Sequence, residues 1–172
     1  MDLSSQPFVA FERTPLSAAG VLREALARCR AEVLRRGPEA FLPAACAQLD
    51  RRSYALLEPA VDGCEAWLIC WPPGTGAPWH DHGAARGVAR VLRGSLREQR
   101  ELPGAAGTLR RDWRPGAVIE LAHGVRHDVH NIARRVAYSI HVYDPRLAQM
   151  TFYERDAAGA LSPLRTEQSR EW

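Results

Sequence analysis

The chain changes character near residue 50, and the part that follows restricts the possible folds most strongly. From about residue 51 onward, short apolar runs such as residues 66–71 and 136–142 alternate with turns rich in glycine and proline, such as residues 72–76. Runs of about 4–8 residues at a spacing of roughly 8–12 residues are typical of an all-β sandwich or barrel. We therefore predict a β-barrel over about residues 51–155.

The first 50 residues predict helices instead. Thr14-Pro15 is a typical helix start, because it offers an N-cap side chain followed by proline at the first helical position. Apolar residues then recur at roughly helical spacing over residues 16–34, and Gly37-Pro38 ends that pattern. A shorter second helix is expected at about residues 38–49. Together these segments would form a small helical layer packed on the barrel.

Length and charge indicate one ordinary domain. The chain has 172 residues, enough for a single core, so we predict one domain with a helical layer at about 1–50, the barrel at about 51–155 and a polar, partly loose tail at 156–172. The net charge is only +3, and apolar segments separate the arginine pairs, which argues against a nucleic-acid partner. No run approaches the ~20 apolar residues that span a bilayer, so no membrane association is expected.

The cysteines and the first residues favour a reducing compartment. Cys29, Cys46, Cys64 and Cys70 form no C-x-x-C pair and no disulfide-framework spacing, so free thiols are expected. The N-terminal segment contains acidic residues and lacks the apolar stretch of a signal peptide. We expect a cytoplasmic protein and a monomer.

All six histidines lie between residues 80 and 141. In His80-Asp81-His82, the two imidazoles would point to the same side of a strand, because side chains alternate between its faces. Imidazole is a good ligand for iron, zinc, copper and nickel. An isolated H-x-H is common on protein surfaces, so this pair alone is weak evidence for a metal. Asp81 should point away from the pair and have a structural role.

Two motifs surround these histidines in order and with defined spacing. The first is Gly74, five residues, His80-x-His82, four residues, Gly87, six residues and Gly94; the second is Gly116, five residues, Ala122-His123-Gly124, two residues, His127, three residues and Asn131. Both resemble the motifs of the cupin superfamily, with Ala122 in place of the usual proline and Gly87 in place of the usual glutamate. The resemblance covers roughly residues 65–153 and implies a mainly β, jelly-roll-like barrel.

The resemblance also selects the third metal ligand. His127 occupies the ligand position of the second motif. His130 lies three residues further on and cannot share a strand face with His127, and His123 is expected in a loop or at the rim. Without a carboxylate at Gly87, three neutral imidazoles would leave open coordination positions that a thiolate, an amine and O2 could fill.

Three neutral histidine ligands are the arrangement of the cysteine dioxygenase family, and the local sequence resembles that family. Residues 70–74 (CWPPG) followed by 80–83 (HDHG) look like its first-motif neighbourhood, and residues 91–98 look like the strand that follows. The resemblance implies an Fe(2+) cofactor, a small thiol substrate and O2. Where this chain has Gly87, animal relatives carry a cysteine cross-linked to the active-site tyrosine. Gly87 offers no thiol for such a bond.

Ser139, His141 and Tyr143 resemble the Ser-His-Tyr triad of the same family. They alternate, so a strand would place all three on one side. A chain of hydrogen bonds from serine to histidine to tyrosine would fix the imidazole tautomer and orient the phenol towards an iron-bound oxygen or a substrate group. The alternative is that Tyr143 is simply a half-buried strand aromatic.

The substrate carboxylate needs a partner, which in this family is an arginine from an early strand. Arg51 and Arg52 are the candidates, because a guanidinium binds a carboxylate through two parallel hydrogen bonds. A gapless count back from Trp71 places Tyr54 at the family's arginine position, and Arg52 would face the same side of a strand as Tyr54. We predict that Arg52 and Tyr54 line the substrate site; the alternative for Arg52 is a solvated surface residue.

The expected function is therefore an Fe(II)-dependent thiol dioxygenase that oxidises L-cysteine with O2 to cysteine sulfinic acid. One alternative is a dioxygenase of another small thiol, such as 3-mercaptopropionate, which lacks the amine and would need a different clamp. A second alternative is a non-redox metal-binding cupin. A purely structural fold with surface histidines is disfavoured by the two matched motifs.

Overall fold

The computed structural model describes residues 17–44, 46, 50–57, 63–102 and 107–168. The helix α1 (Ala18–Arg36) begins after Ser17, whose side chain accepts a hydrogen bond from the N–H of Gly20 at 3.2 Å. Thr14-Pro15, the predicted start, lies outside the described residues. The helix ends as predicted at Gly37, which has a φ of 83° and whose N–H donates to the carbonyl of Val33.

The prediction of a second helix at about residues 38–49 is wrong for the residues of this range that the structure describes. A 3-10 turn (Pro38–Ala40) forms there, and Cys46 also has 3-10 geometry, but the described residues of this stretch contain no α-helix. Pro43 follows within a few residues, and proline disfavours helical backbone in the residue before it. Residues 45 and 47–49 lie outside the described part.

The described residues form a mainly β structure with eleven strands. In chain order these are β1 (Ser53–Leu57), β2 (Glu65–Trp71), β3 (Gly76–His80), β4 (Arg86–Arg93), β5 (Leu96–Glu101), β6 (Thr108–Trp113), β7 (Val118–Leu121), β8 (His127–Asn131), β9 (Ala137–Asp144), β10 (Gln149–Arg155) and β11 (Leu161–Gln168). They make two antiparallel sheets, one in the order β1-β2-β9-β4-β7 and the other in the order β11-β10-β3-β8-β5-β6. This confirms the predicted β architecture with one helical layer.

Strand β9 shows how the layers stack. Ala137, Ser139, His141 and Tyr143 face the space between the two sheets, whereas the intervening Tyr138, Ile140 and Val142 pack with α1. The strand is therefore covered on both faces, which explains why its sequence is almost continuously apolar instead of alternating with polar residues. The helix closes one face of the five-stranded sheet and leaves the other face to the cavity.

The space between the sheets is packed at one end and open at the other. Trp71, Val91 and Leu96 are at most 1% exposed and fill the packed part together with neighbours from both sheets. The open part is lined by histidine, tyrosine and arginine side chains and is described below. The barrel core thus forms the wall of a polar site.

The polar segment after residue 156 is not loose over its whole length. Residues 161–168 form β11, which pairs with β10 at the edge of the six-stranded sheet. Its side chains are mostly exposed, so the sequence lacks the apolar alternation that identifies a strand. Its position matters because Glu167 lines the cavity.

None of the four cysteines forms a disulfide, as predicted, and all four are buried. Burial raises the pKa of Cys70 to about 12, which makes it an unreactive core residue. Within the residues that the structure describes, no helix is long and apolar enough to cross a membrane.

Candidate metal and substrate site

Three imidazoles meet between the sheets. His80 ends β3 and lies directly opposite His127, the first residue of β8, in the register of that antiparallel pair. His82 follows two residues after His80, and one nitrogen from each of the three rings lies within 4.8 Å of the others. All three side chains are buried, with at most 4% of each residue exposed. These are the three residues predicted from the motifs.

The local geometry of the H-x-H pair differs from the prediction. The pair was expected on one continuous strand, but β3 ends at His80 and His82 lies in the turn that follows. The carboxylate of Asp81 holds this turn: it accepts hydrogen bonds from the Gly83 N–H at 2.9 Å and from the Tyr153 hydroxyl at 2.5 Å. Asp81 thus points away from the imidazoles, as predicted.

The environment keeps His80 and His82 in the neutral form that binds metals. Burial, together with the neighbouring imidazoles, holds the pKa of His80 and of His82 well below the ordinary value. The His80 Nδ1–H donates to the carbonyl of Pro78 at 2.7 Å, which leaves the lone pair on Nε2 available to a metal. The Nε2 of His127 is buried and has no hydrogen-bond partner among the described residues. An unpartnered buried nitrogen that faces two other imidazoles fits a metal ligand.

The remaining nearby histidines do not join this group. The side chain of His130 is 43% exposed and packs over Gly76, where an added Cβ would lie 2.0 Å from its ring. His123 is exposed in the turn before β8. The structure therefore separates both residues from His80, His82 and His127.

Glu98 is a residue that the sequence analysis missed. Its carboxylate is only 3% exposed and accepts hydrogen bonds from His127 Nδ1 at 2.7 Å, from Arg100 at 2.7 Å and from Trp113 Nε1 at 2.9 Å. Burial would raise the pKa of Glu98, but the hydrogen bonds and charges of His127 and Arg100 lower it to about 2. Its surroundings in the sequence, Leu96–Glu101, are largely charged and look like a solvated strand, so no signal marked it as buried.

A cavity of about 360 Å³ opens in front of the three imidazoles. Its polar lining includes Arg52, Tyr54, His141 and Tyr143. Its apolar walls come from both sheets and from the β9–β10 connection; they are formed by Trp67, Ile69, Trp71, Ala77, Val129, Leu147, Met150 and Phe152. The site thus combines a candidate metal centre with a largely apolar chamber, the usual composition of a small-molecule site.

Ser139, His141 and Tyr143 form the predicted chain of hydrogen bonds. Ser139 Oγ lies 2.9 Å from His141 Nε2, and the Tyr143 hydroxyl lies 3.3 Å from His141 Nδ1. Burial lowers the pKa of His141 to about 3, so its ring is neutral and one nitrogen must be an acceptor. The distances fit the predicted arrangement.

Trp71 decides which way the protons in this chain point. Its indole N–H donates to Ser139 Oγ at 2.8 Å. The serine is fully buried, and His141 is its other hydrogen-bond partner among the described residues, so the serine hydroxyl donates to His141 Nε2. Nδ1 then carries the imidazole proton and donates to the Tyr143 oxygen, which leaves the phenol O–H free to donate into the cavity. The sequence analysis gave Trp71 no role in this series of hydrogen bonds.

Arg52 reaches the cavity and Arg51 does not. The Arg52 guanidinium lies 5.2 Å from the ring centres of both Tyr54 and Trp71, whereas Arg51 is exposed. Burial lowers the pKa of Arg52 below its ordinary value, and the described residues place no carboxylate within ion-pair distance of it. Glu167, the acidic residue in the same lining, is paired with Arg165. Arg52 is therefore a desolvated cation available to an anionic ligand.

Gly87 on β4 stands where other cupins carry an acidic metal ligand, and its surroundings leave little room for a side chain. A Cβ at position 87 would lie 2.8 Å from Cδ1 of Tyr143 and 2.7 Å from the carbonyl oxygen of Val142. The Tyr143 ring thus occupies the space into which a side chain at 87 would extend, and it lies 5.0 Å from the His82 ring. A ligand side chain at position 87 would therefore require the Tyr143 ring and the neighbouring backbone to shift.

Comparisons with known proteins agree with the site and the fold. Residues 38–156 match the family described as cysteine dioxygenase type I. Recombinant oxalate oxidase in complex with glycolate is similar in structure, with a TM-score of 0.52 and 19% identity over 59% of this chain and 54% of that chain. Oxalate decarboxylase from Bacillus subtilis is also similar, with a TM-score of 0.52 and 14% identity over 58% and 27%.

These structural likenesses show a cupin fold and nothing about the reaction, because the identities are low. The chain spans about half the length of the oxalate oxidase that it matches. No curated protein sequence matches the chain significantly. The evidence for function therefore comes from the family match and from the site itself.

The first prediction concerns metal binding. His127→Ala should abolish high-affinity binding of Fe(II) under anaerobic conditions, because a site with three protein ligands has no spare one. His130→Ala is the matched control on the same strand and should bind iron at the wild-type stoichiometry. Metal content after anaerobic loading and desalting measures both. Iron loss in the His130 variant, with retention in the His127 variant, would show that the ligand assignment is wrong.

Proposed function

Because this chain belongs to the cysteine dioxygenase type I family, we propose that it is an Fe(II)-dependent dioxygenase that converts a small thiol to its sulfinic acid. The observation that carries the proposal is the group of three buried imidazoles at one end of a cavity that also contains Arg52, whose guanidinium has no carboxylate partner among the described residues. The reaction is RSH + O2 → RSO2H. Sulfur loses four electrons, O2 gains them, and both oxygen atoms end on sulfur, so no other reductant is needed.

The metal group supplies the oxidative chemistry. A ferrous ion held by His80, His82 and His127 would favour the thiolate form of the substrate and bring the sulfur and O2 together. The neutral ligand set leaves the positive charge of the ion for anionic ligands. The apolar walls of the cavity, including Trp67 and Phe152, exclude water and so protect the reacting sulfur from competing reactions.

Tyr143 is the proton donor of the proposed site. The hydrogen bonds from Trp71 through Ser139 and His141 make the Tyr143 oxygen an acceptor. The hydroxyl proton of Tyr143 therefore points into the cavity. Burial raises the pKa of this phenol, which therefore stays protonated at neutral pH. A protonated donor of this kind stabilises negative charge that develops on oxygen during the reaction.

Arg52 binds the substrate carboxylate in this proposal. It is desolvated, it stacks near Trp71 and Tyr54, and it lines the same cavity as the three imidazoles. A thiol that also carries a carboxylate would place sulfur at the metal and the carboxylate at this guanidinium. L-cysteine is the first candidate, and 3-mercaptopropionate is the same scaffold without the amine.

The size of the cavity favours a second candidate substrate, a thiol acid that is larger than cysteine. A cavity of about 150 Å³ is sufficient to hold benzene, and 3-mercaptopropionate has as many heavy atoms as benzene. The cavity here is about 360 Å³, so a substantial apolar volume remains beside a small thiol acid and a metal ion. Leu147, Met150 and Phe152 line this volume together with Trp67 and Ile69.

The second prediction tests the phenol. Tyr143→Phe should fold and bind iron like the wild type, because it removes one hydroxyl without opening a cavity. Its turnover should fall by roughly 10–10³-fold, the cost of losing a positioned donor. Oxygen uptake and sulfinate formation at matched iron content are the measurements. Tyr138→Phe is the control, since that residue lies on the same strand but packs on the opposite face, against α1. Wild-type turnover in Tyr143→Phe would show that the tyrosine only packs.

The third prediction tests the carboxylate clamp. Arg52→Lys keeps the charge but cannot form two parallel hydrogen bonds. It should weaken cysteine binding by about 10–150-fold, which corresponds to roughly 1.5–3 kcal/mol for a charge-assisted pair. Arg51→Lys is the matched neighbour and should leave the KM for cysteine unchanged.

Cysteamine, which lacks the carboxylate, separates this role from a general effect on the site. It should be a poor substrate of the wild type and should respond to neither arginine substitution. Unchanged cysteine kinetics in Arg52→Lys would mean that the carboxylate is bound elsewhere. An equal loss for cysteine and cysteamine would assign Arg52 to folding of the site instead of to the clamp.

The fourth prediction tests the size of the substrate with a matched pair of thiols. The compound 2-benzyl-3-mercaptopropionate differs from 3-mercaptopropionate only by the benzyl group. We expect the KM of the larger thiol to be at or below that of the smaller one, because the added group is buried against apolar walls. Oxygen uptake measures both. A loss of more than about tenfold in kcat/KM for the benzyl compound would restrict the substrate to thiols of the size of cysteine.

A further inference from the structure

Glu98 gives His127 a hydrogen-bond partner that differs in charge from the partner of His80. His127 donates from Nδ1 to a buried carboxylate at 2.7 Å, whereas His80 donates from Nδ1 to the neutral carbonyl of Pro78, also at 2.7 Å. A hydrogen bond to a carboxylate makes an imidazole a stronger electron donor to a metal than a hydrogen bond to a carbonyl does. His127 is thus the more electron-rich member of this pair.

Arg100 and Trp113 hold the same carboxylate from its other sides. Arg100 contacts Glu98 Oε1, the oxygen that accepts from His127, through Nη2 at 2.7 Å and Nε at 3.1 Å. Trp113 Nε1 contacts Oε2 at 2.9 Å. These three residues line a second cavity of about 310 Å³ that lies apart from the substrate cavity. The arginine side chain is 25% exposed, so its replacement leaves no closed void.

We propose that Glu98 supplies negative charge to the bound metal through His127, in place of the acidic ligand that Gly87 cannot provide, and that Arg100 limits how much of this charge reaches the imidazole. Glu98 is a positioning residue, since it acts through His127. The proposal rests on the metal site of the proposed function. It predicts that removal of the carboxylate and removal of the groups that compete for it shift the Fe(III)/Fe(II) potential in opposite directions.

The experiment compares Glu98→Gln, Arg100→Gln and Trp113→Phe in thiol-free protein. Glu98→Gln should weaken Co(II) binding by about 10–100-fold and shift the Fe(III)/Fe(II) potential to a more positive value. Arg100→Gln and Trp113→Phe each remove a donor that competes with His127 for the carboxylate. Both should shift the potential in the negative direction. Competition with a chelator measures the Co(II) affinity, and anaerobic titration of the iron-loaded protein measures the potential.

Asp112→Asn is the control. Asp112 belongs to the neighbouring strand β6 of the same hairpin and pairs with Arg97 at 2.7 Å, away from the metal group. This substitution removes an exposed carboxylate of the same hairpin and should change neither affinity nor potential. Circular dichroism and the melting temperature verify that each variant is folded before binding is measured.

Two results would overturn the inference. The first is wild-type Co(II) affinity and wild-type potential in folded Glu98→Gln. The second is a shift of the potential in the same direction for the glutamate variant and for the donor variants, as expected if all three residues only support packing. Should Glu98→Gln fail to fold, the direction of the shift in Arg100→Gln and Trp113→Phe decides the question. Failure of the wild type to bind Co(II) or Fe(II) would instead refute the proposed function.

Discussion

The site depends on one pairing of strands. Because β3 and β8 are paired so that His80 lies opposite His127, two imidazoles project from neighbouring strands into the same space, and the turn at Asp81 brings His82 to them. Side chains alternate along a strand, so a slip of one residue in this pairing would direct one of the two rings to the outer face. The buried Glu98 stabilises the arrangement from behind by accepting the hydrogen bond of His127.

A second constraint acts from the opposite sheet. Tyr143 lies so close to Gly87 that a Cβ at this position would clash with the ring in its present place. The glycine thus leaves the space beside the metal group to the phenol. The same ring is oriented by His141, Ser139 and Trp71. A neutral ligand set and an oriented proton donor both suit an anionic sulfur ligand and O2.

Much of this arrangement was predictable from the sequence, for identifiable reasons. Motif spacing located His80, His82 and His127, and the two-residue period of a strand placed Ser139, His141 and Tyr143 on one face. Glu98 was missed because its neighbours Arg97 and Arg100 make the strand look solvated. The hydrogen bond from Trp71 to Ser139 joins residues far apart in the sequence, which local patterns do not relate. Strand β11 was missed because an exposed edge strand carries no apolar alternation.

In the proposed reaction, both atoms of O2 are added to the sulfur of a small thiol in the cavity in front of the three imidazoles. The most direct test supplies iron-loaded protein with L-cysteine under 18O2 in ordinary water and analyses the product by mass spectrometry. We expect a sulfinic acid in which both oxygen atoms carry the label, and no such product from His127→Ala. An unlabelled or singly labelled sulfinate that does not exchange with water, or oxygen consumption that yields only disulfide, would contradict it.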